Sequence, residues 1–287
     1  MPSLIDIRRR IRSVKNTQQI TKAMKMVATA RLRRAQERVI NSRPYAKMAA
    51  EMLQNVAAAA ANDEKTSEHP LLASRPEQKI QLILVTADRG LAGAFNSNLI
   101  KAAQVFLAEH AGQQVEIELY GRKGRDFFVR RNVASSGQVV GISQMAGLVN
   151  AQPLATKMIE RFSKGEVDSV YLIYNQFKSV LTQNLTVKKI LPIAVAADGA
   201  TARDYIFEQE PAELLKRMLP GYVLLQMLES FLETAAAEHA ARMTAMDAAT
   251  TNANDVINKL TLYMNRVRQA SITREIIEVV SGASALQ

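Results

Sequence analysis

From Ile7 to Val39 the positions Ile7, Ile11, Val14, Thr17, Thr21, Met24, Ala28, Leu32, Ala35 and Val39 recur at steps of three or four, a mean near 3.6. One narrow stripe is apolar or small, and its neighbours are Arg, Lys, Gln or Asn. A stripe this narrow predicts a coiled-coil seam rather than the broad face of a globular helix. Pro44 interrupts the pattern, yet helix formers resume over 45–61, so the helix is expected to reach a stop at Asn62 and Asp63.

The other end repeats the design. Leu228, Leu232, Ala235, His239, Met243, Met246, Ala249, Ala253, Val256, Leu260, Tyr263, Val267, Ala270, Arg274 and Ile277 follow one another at a mean step near 3.5, the left-handed supercoil period. A helix over 222–282 would extend about 90 Å, too long for a globule to contain. Pro211 suits a first helical position, whereas Pro220 and Gly221 are expected to kink or break the helix near its base. Residues 270–287 mix apolar and small side chains with acids, which suits a rod lying in a sleeve of other chains.

Between the ends the period changes. Short apolar runs at 79–86, 115–120, 168–174 and 185–190 read as strands, and 96–110, 123–131 and 148–164 as helices. Strands alternating with helices predict a mostly parallel sheet with helices on its faces. The fold class is therefore α/β: a long antiparallel coiled coil of the N- and C-terminal helices with an inserted Rossmann-like α/β domain. The expected boundaries are 1–61 for the first helix, 76–207 for the inserted domain and 210–287 for the helix that pairs back on 1–61. Linkers are expected at 62–78 and 196–203.

Charge sharpens this picture. The chain of 287 residues carries 37 Lys and Arg against 27 Asp and Glu, a net charge of +10. Residues 1–43 hold twelve bases and two acids, so the first helix accounts for the whole excess and the remainder is balanced. Such a segment could attract nucleic acid through phosphate contacts, or face acidic surfaces on protein partners. Residues 1–44 contain no aromatic side chain to stack on bases, which favours protein partners.

Composition narrows the chemistry. There is no Cys, so disulfides, thiolate catalysis and Cys-based metal sites are excluded. The three His (His69, His110, His239) are scattered, and no Ser/His/Asp set or paired carboxylates stand out. No apolar run reaches the roughly 18–20 residues of a membrane span. The Arg-interrupted start does not read as a secretory signal; an Arg-rich transit peptide is the rival reading. Segment 88–96 (Asp-Arg-Gly-Leu-Ala-Gly-Ala-Phe-Asn) follows a strand and opens a helix, where a phosphate loop would sit, but it lacks the P-loop Lys and the dinucleotide spacing, so a structural turn is the plainer reading. Segment 121–125 (Gly-Arg-Lys-Gly-Arg) offers an anion site or a solvated loop, and His239 a packing residue or a ligand. No active site is legible.

Segments 13–28 (Ser-Val-Lys-Asn-Thr-Gln-Gln-Ile-Thr-Lys-Ala-Met-Lys-Met-Val-Ala) and 42–45 (Ser-Arg-Pro-Tyr) resemble the N-terminal helix of the gamma subunit family of F-type ATP synthase. Segment 86–93 (Thr-Ala-Asp-Arg-Gly-Leu-Ala-Gly) resembles the loop after that family's first central strand. Segment 268–283 (Arg-Gln-Ala-Ser-Ile-Thr-Arg-Glu-Ile-Ile-Glu-Val-Val-Ser-Gly-Ala) is similar to its C-terminal signature. The resemblance implies a non-catalytic rotor shaft without cofactor or metal. It implies as partners three alpha and three beta subunits, the epsilon subunit and the membrane-embedded c-ring, at the cytoplasmic face of a bacterial inner membrane. By matching position it implies that Met24 and Lys25 face an acidic lever of beta. Arg268 and Gln269 would meet the beta catch loop, with Thr273 and Glu275 beside them, and Tyr205 and Glu208 would contact the c-ring. The regulatory cysteine pair of the chloroplast form cannot exist here.

Overall fold

A computed structural model describes residues 3–60, 69–141, 147–194 and 207–284. Its elements, in chain order, are α1 (Leu4–Ala59), β1 (Lys79–Val85), α2 (Phe95–Glu109), β2 (Gln114–Tyr120), α3 (Arg122–Val129), β3 (Ser135–Val139), α4 (Leu148–Ser163), β4 (Ser169–Phe177), β5 (Gln183–Leu191) and α5 (Pro211–Ser284). Two compact units emerge. One joins the chain's two ends, up to Ala28 and from Met243 onward; the other spans Thr29–Arg242.

The larger unit is built on a five-stranded sheet of order β3-β2-β1-β4-β5. β1 pairs parallel with β2 and β4, β2 pairs parallel with β3, and only β5 runs antiparallel, against β4. β1 is central because its run of apolar residues is buried on both faces from Ile80 to Val85, as a parallel strand covered by helices requires. α2 packs on β1 and β4, α3 on β2 and α4 on β4. One strand escaped the sequence pattern. β3 (Ser-Ser-Gly-Gln-Val) is polar, short and lies at the sheet edge, where little side-chain burial is needed.

Within this unit α5 is enclosed on every side from Ser230 to Ala240. Sequence periodicity marked only one face here, Leu232, Ala235 and His239. The small residues Ala235, Ala236, Ala237 and Ala240 let other elements approach the rest, and Phe231 meets Tyr120 with ring centroids 5.6 Å apart.

α1 meets the expectation at its proline, and α5 corrects one. α1 is helical through Pro44. The expected stop at Asn62 and Asp63, and the linker at 196–203, lie outside the described residues. α5 starts at Pro211, as expected, but does not break at Pro220 and Gly221. Pro220 deletes one N–H of the helical ladder, yet Leu219 and Val223 on either side are fully buried and hold the helix in place.

In the smaller unit the two helices pair antiparallel. As the α1 position rises from Gln18 to Thr21 to Lys25, its hydrogen-bonded partner on α5 falls from Asn254 to Thr250 to Asp247. The buried residues here are Ile7, Thr21 and Ala28 on α1 and Met246, Ala253 and Ile257 on α5. Three seam assignments move by one residue, Tyr263 being exposed with Met264 half-buried in its place. Thr17 is exposed, its hydroxyl bonded to the Ser13 carbonyl, and Gln18 turns inward instead. Val256 is exposed, and Ile257 takes its place. A seam read at a fixed step drifts when an undistorted helix turns once per 3.6 residues.

Gly121 joins β2 to α3 at φ +99°, and a Cβ there would lie 2.1 Å from the Thr86 carbonyl oxygen. Gly121→Ala is expected to destabilise the chain by more than about 2 kcal/mol in urea unfolding. Gly112→Ala, where a Cβ meets nothing within 4 Å, is expected to stay within about 1 kcal/mol of the parent.

Candidate functional site

The larger unit holds a buried carboxylate that ties three elements together. Glu233 of α5 is 2% exposed at its side chain. Arg43 of α1 donates to it through Nε (3.1 Å) and Nη2 (2.9 Å), and the Phe177 amide at the end of β4 donates at 2.7 Å. Arg43 Nη2 also donates to the Phe177 carbonyl at 2.5 Å. α1, α5 and the sheet therefore share one charge-assisted node, the strong class of hydrogen bond. One turn earlier on α5, burial raises the Glu229 carboxyl above its usual range despite Lys188 and Arg43, and Glu233 pushes the same way.

A second node lies at the β1–α2 loop. The guanidinium of Arg242 pairs with Glu238 at 2.6 Å and donates to the carbonyls of Arg89 and Gly90 at 3.3 Å. Its Nη1 also lies 3.4 Å from His239 Nδ1. Because arginine only donates, that ring nitrogen must carry no proton. Burial, then Arg242 and Arg31, lower the His239 pKa to about 4. His239 is thus a packed, neutral histidine that accepts a hydrogen bond.

The loop itself is occupied by its own contacts. Asn96 Oδ1 accepts from the Ala87 amide (3.0 Å), and Asp88 Oδ1 accepts from the amides of Arg122 and Gly141 (3.1 and 3.0 Å). Thr86 Oγ1 accepts from the Gly124 amide at 2.9 Å. Segment 121–125 is therefore neither a solvated loop nor an amide cradle. It is the first turn of α3, with its N–H groups met by Asp88 and Thr86.

The residues singled out in sequence fall in different places. Met24 and Lys25 are half-buried on α1, and Lys25 reaches Asp247 of α5 at 2.6 Å. Arg268, Gln269, Thr273 and Glu275 are exposed on α5. From the observed pairing, Met24 and Arg268 stand about 30 Å apart along the helices, so they form no common cluster. Thr273 donates to the Gln269 carbonyl (3.0 Å), and Ser271 to Glu275 Oε1 (3.2 Å). Glu208 is exposed, and Tyr205 lies outside the described residues. Beyond Arg268 the helix has passed the start of α1, and Ile272, Ile276, Ile277, Val279 and Val280 are 48–71% exposed. Arg274 and Ile277, read as seam positions, are therefore uncovered. The Glu233 node escaped sequence reading because Glu233 sits off the seam; the polar letters Ser230, Glu233 and Thr234 inside an apolar helix were its only trace.

Long helices at both ends of the chain, antiparallel partners in the smaller unit, with an α/β sheet between them in sequence and an uncovered apolar stretch over 272–280, mark a stalk-type protein that works through surfaces. The chain belongs to the ATP synthase gamma chain family. The family model described as ATP synthase matches residues 3–286. Across 287 residues, all of both chains, it is 59% identical to the ATP synthase gamma chain of Solibacter usitatus (strain Ellin6076). It is 46% identical to that of Anaeromyxobacter sp. (strain Fw109-5), again over the whole of both chains. Among solved structures, a chain of the Tetrahymena thermophila mitochondrial ATP synthase central stalk and c-ring aligns at TM-score 0.62 and 25% identity, covering 80% of this chain and 99% of that one. A chain of the Euglena gracilis mitochondrial ATP synthase OSCP/F1/c-ring aligns at TM-score 0.68 and 19% identity over 99% and 94%, a likeness of fold.

Removing one partner of the Glu233 node leaves a buried charge short of donors. Arg43→Met is expected to cost about 1–3 kcal/mol in urea unfolding, the Arg side being partly solvated, with Arg43→Lys intermediate. His239 gives a pH signature. Its folded pKa of about 4 lies below its unfolded value near 6.5, so the unfolded chain binds the extra proton between them. Stability is expected to fall as pH drops through 6.5 and to level off below about 4, by at most about 3 kcal/mol. His239→Gln flattens that limb of the stability-pH curve.

Proposed function

We propose that this chain is the central rotor shaft, the gamma subunit, of the F1 part of a proton-translocating ATP synthase. It couples c-ring rotation to nucleotide-state changes in the beta subunits and makes and breaks no covalent bonds itself. Family membership over the whole chain supports this reading. The observation that carries it is the tip of α5, whose apolar side chains from Ile272 to Val280 are left bare by the rest of the described chain. A row of that kind is matched to a sleeve contributed by other subunits.

In this reading residues 1–61 and 210–287 are the shaft and 76–207 the docking body. Three alpha and three beta subunits form the sleeve. Arg268, Gln269, Thr273 and Glu275 meet it along α5, and Met24 and Lys25 meet the acidic lever of beta from α1. Lys25 already holds Asp247, but an ion pair this exposed contributes at most about 1 kcal/mol. A partner carboxylate can therefore displace Asp247 at one rotation angle and release Lys25 at the next. Tyr205 and Glu208 contact the c-ring, and the epsilon subunit binds the docking body. No described helix is long and apolar enough to cross a membrane, which agrees with a peripheral position at the cytoplasmic face of the inner membrane.

Affinity purification of the full chain is expected to recover two larger nucleotide-binding subunits at three copies each, and their absence would overturn the reading. Deleting residues 270–287, whose described side chains are exposed apart from the half-buried Ser271, should change folding stability by no more than about 0.5 kcal/mol, while ATP-driven proton pumping in the assembled complex drops more steeply than ATP hydrolysis. Equal loss of both would mean that the tip does not couple them.

A further inference from the structure

In open α/β sheets ligands bind beyond the carboxyl ends of the strands, where the strand order reverses. Here that reversal lies between β1 and β4, with β2 and β3 following on the other side of β1, and the loop leaving β1 carries Arg89. Beside this loop is a cavity of about 270 Å³, lined by Arg31, Arg34 and Arg38 of α1, Arg89, and His239 and Arg242 of α5. The three α1 arginines sit at i, i+3 and i+7, one face of the helix.

The acids that share the cavity, Asp88 and Glu238, are already engaged. Asp88 Oδ1 accepts from the Arg122 and Gly141 amides, and Glu238 is paired with Arg242. Arg31, Arg34, Arg38 and Arg89 make no ion pair or side-chain hydrogen bond among the described residues, in contrast to Arg33, which pairs with Glu37 at 3.5 Å. Four guanidiniums without such partners thus line one hollow beside the loop that leaves β1. The positive field is felt inside the protein too, since Arg242 and Arg31 both disfavour the charged form of His239.

We propose that this cavity is a binding site for a phosphate-type oxyanion, held by Arg31, Arg34, Arg38 and Arg89. Planar guanidinium forks match tetrahedral oxyanions and bind them through two parallel hydrogen bonds. The volume falls just below the range usual for drug-sized ligands, so the site takes a phosphate or diphosphate group, free or as the end of a nucleotide, with any base and sugar outside. Every lining residue belongs to this chain, so the site stands independently of the shaft reading.

Isothermal titration of the full-length chain with inorganic phosphate, pyrophosphate and ADP tests it. One saturable site is expected for at least one of the three. Phosphate strongest among them marks the free anion, and pyrophosphate or ADP strongest marks a diphosphate group. Arg34→Gln and Arg38→Gln, which break no ion pair or side-chain hydrogen bond among the described residues, should each weaken that binding about tenfold or more, while Arg33→Gln leaves it unchanged and circular dichroism shows all three folded. No saturable binding of any probe would overturn the proposal, as would an equal loss in Arg33→Gln, which would signal diffuse charge. Cavity-dependent binding of a Glu-rich peptide without binding of phosphate or pyrophosphate would also overturn it, in favour of an acidic protein partner.

Discussion

The charged node at Glu233 is the constraint on which the rest of the larger unit rests. A carboxylate buried in a helix is strongly unfavourable unless fully paired. This one is paired by the Arg43 guanidinium and the Phe177 amide, and Arg43 also donates to the Phe177 carbonyl. The two helices and β4 cannot slide past one another without stranding that charge. Apolar packing around Ser230–Ala240 supplies much of the adhesion, but it is non-directional. The node sets the register. A body that has to carry torque needs such a fixed register.

The Arg242 node does the same at the β1–α2 loop. Loop carbonyls that could have faced a ligand are turned to the guanidinium of a helix, and the amides opening α3 are met by Asp88 and Thr86. The glycines of 121–125 are explained by their close approach to Thr86, 2.1 Å for a Cβ at Gly121 and 3.0 Å at Gly124, and Gly93 by its φ of 56°.

Much of this was legible in sequence. Helical and strand periods located nine of the ten elements, because each buries a stripe or a run that its period betrays. β3 was illegible because an edge strand of Ser, Gly and Gln buries almost nothing. The unbroken passage of α5 through Pro220 could not be read locally, since it depends on tertiary packing at Leu219 and Val223. The buried polar nodes were hidden for the same reason: Arg43 and Glu233 lie 190 residues apart, and neither sits on a seam. Conversely, the mixture of apolar, small and acidic residues over 270–287 pointed to a rod surrounded by other chains, and the apolar side chains from Ile272 to Val280 are exposed, Ile277 among them although the period had placed it on the seam.

The central claim is that the smaller unit's α5 tip is a surface for other subunits while Ser230–Ala240 is a core of this chain alone. Amide hydrogen exchange, measured on the full chain by itself and in the assembled complex, tests it most directly. Residues 230–240 should be strongly protected in both states, and 268–284 protected only in the complex. Equal protection of 268–284 with and without the other subunits would contradict the account.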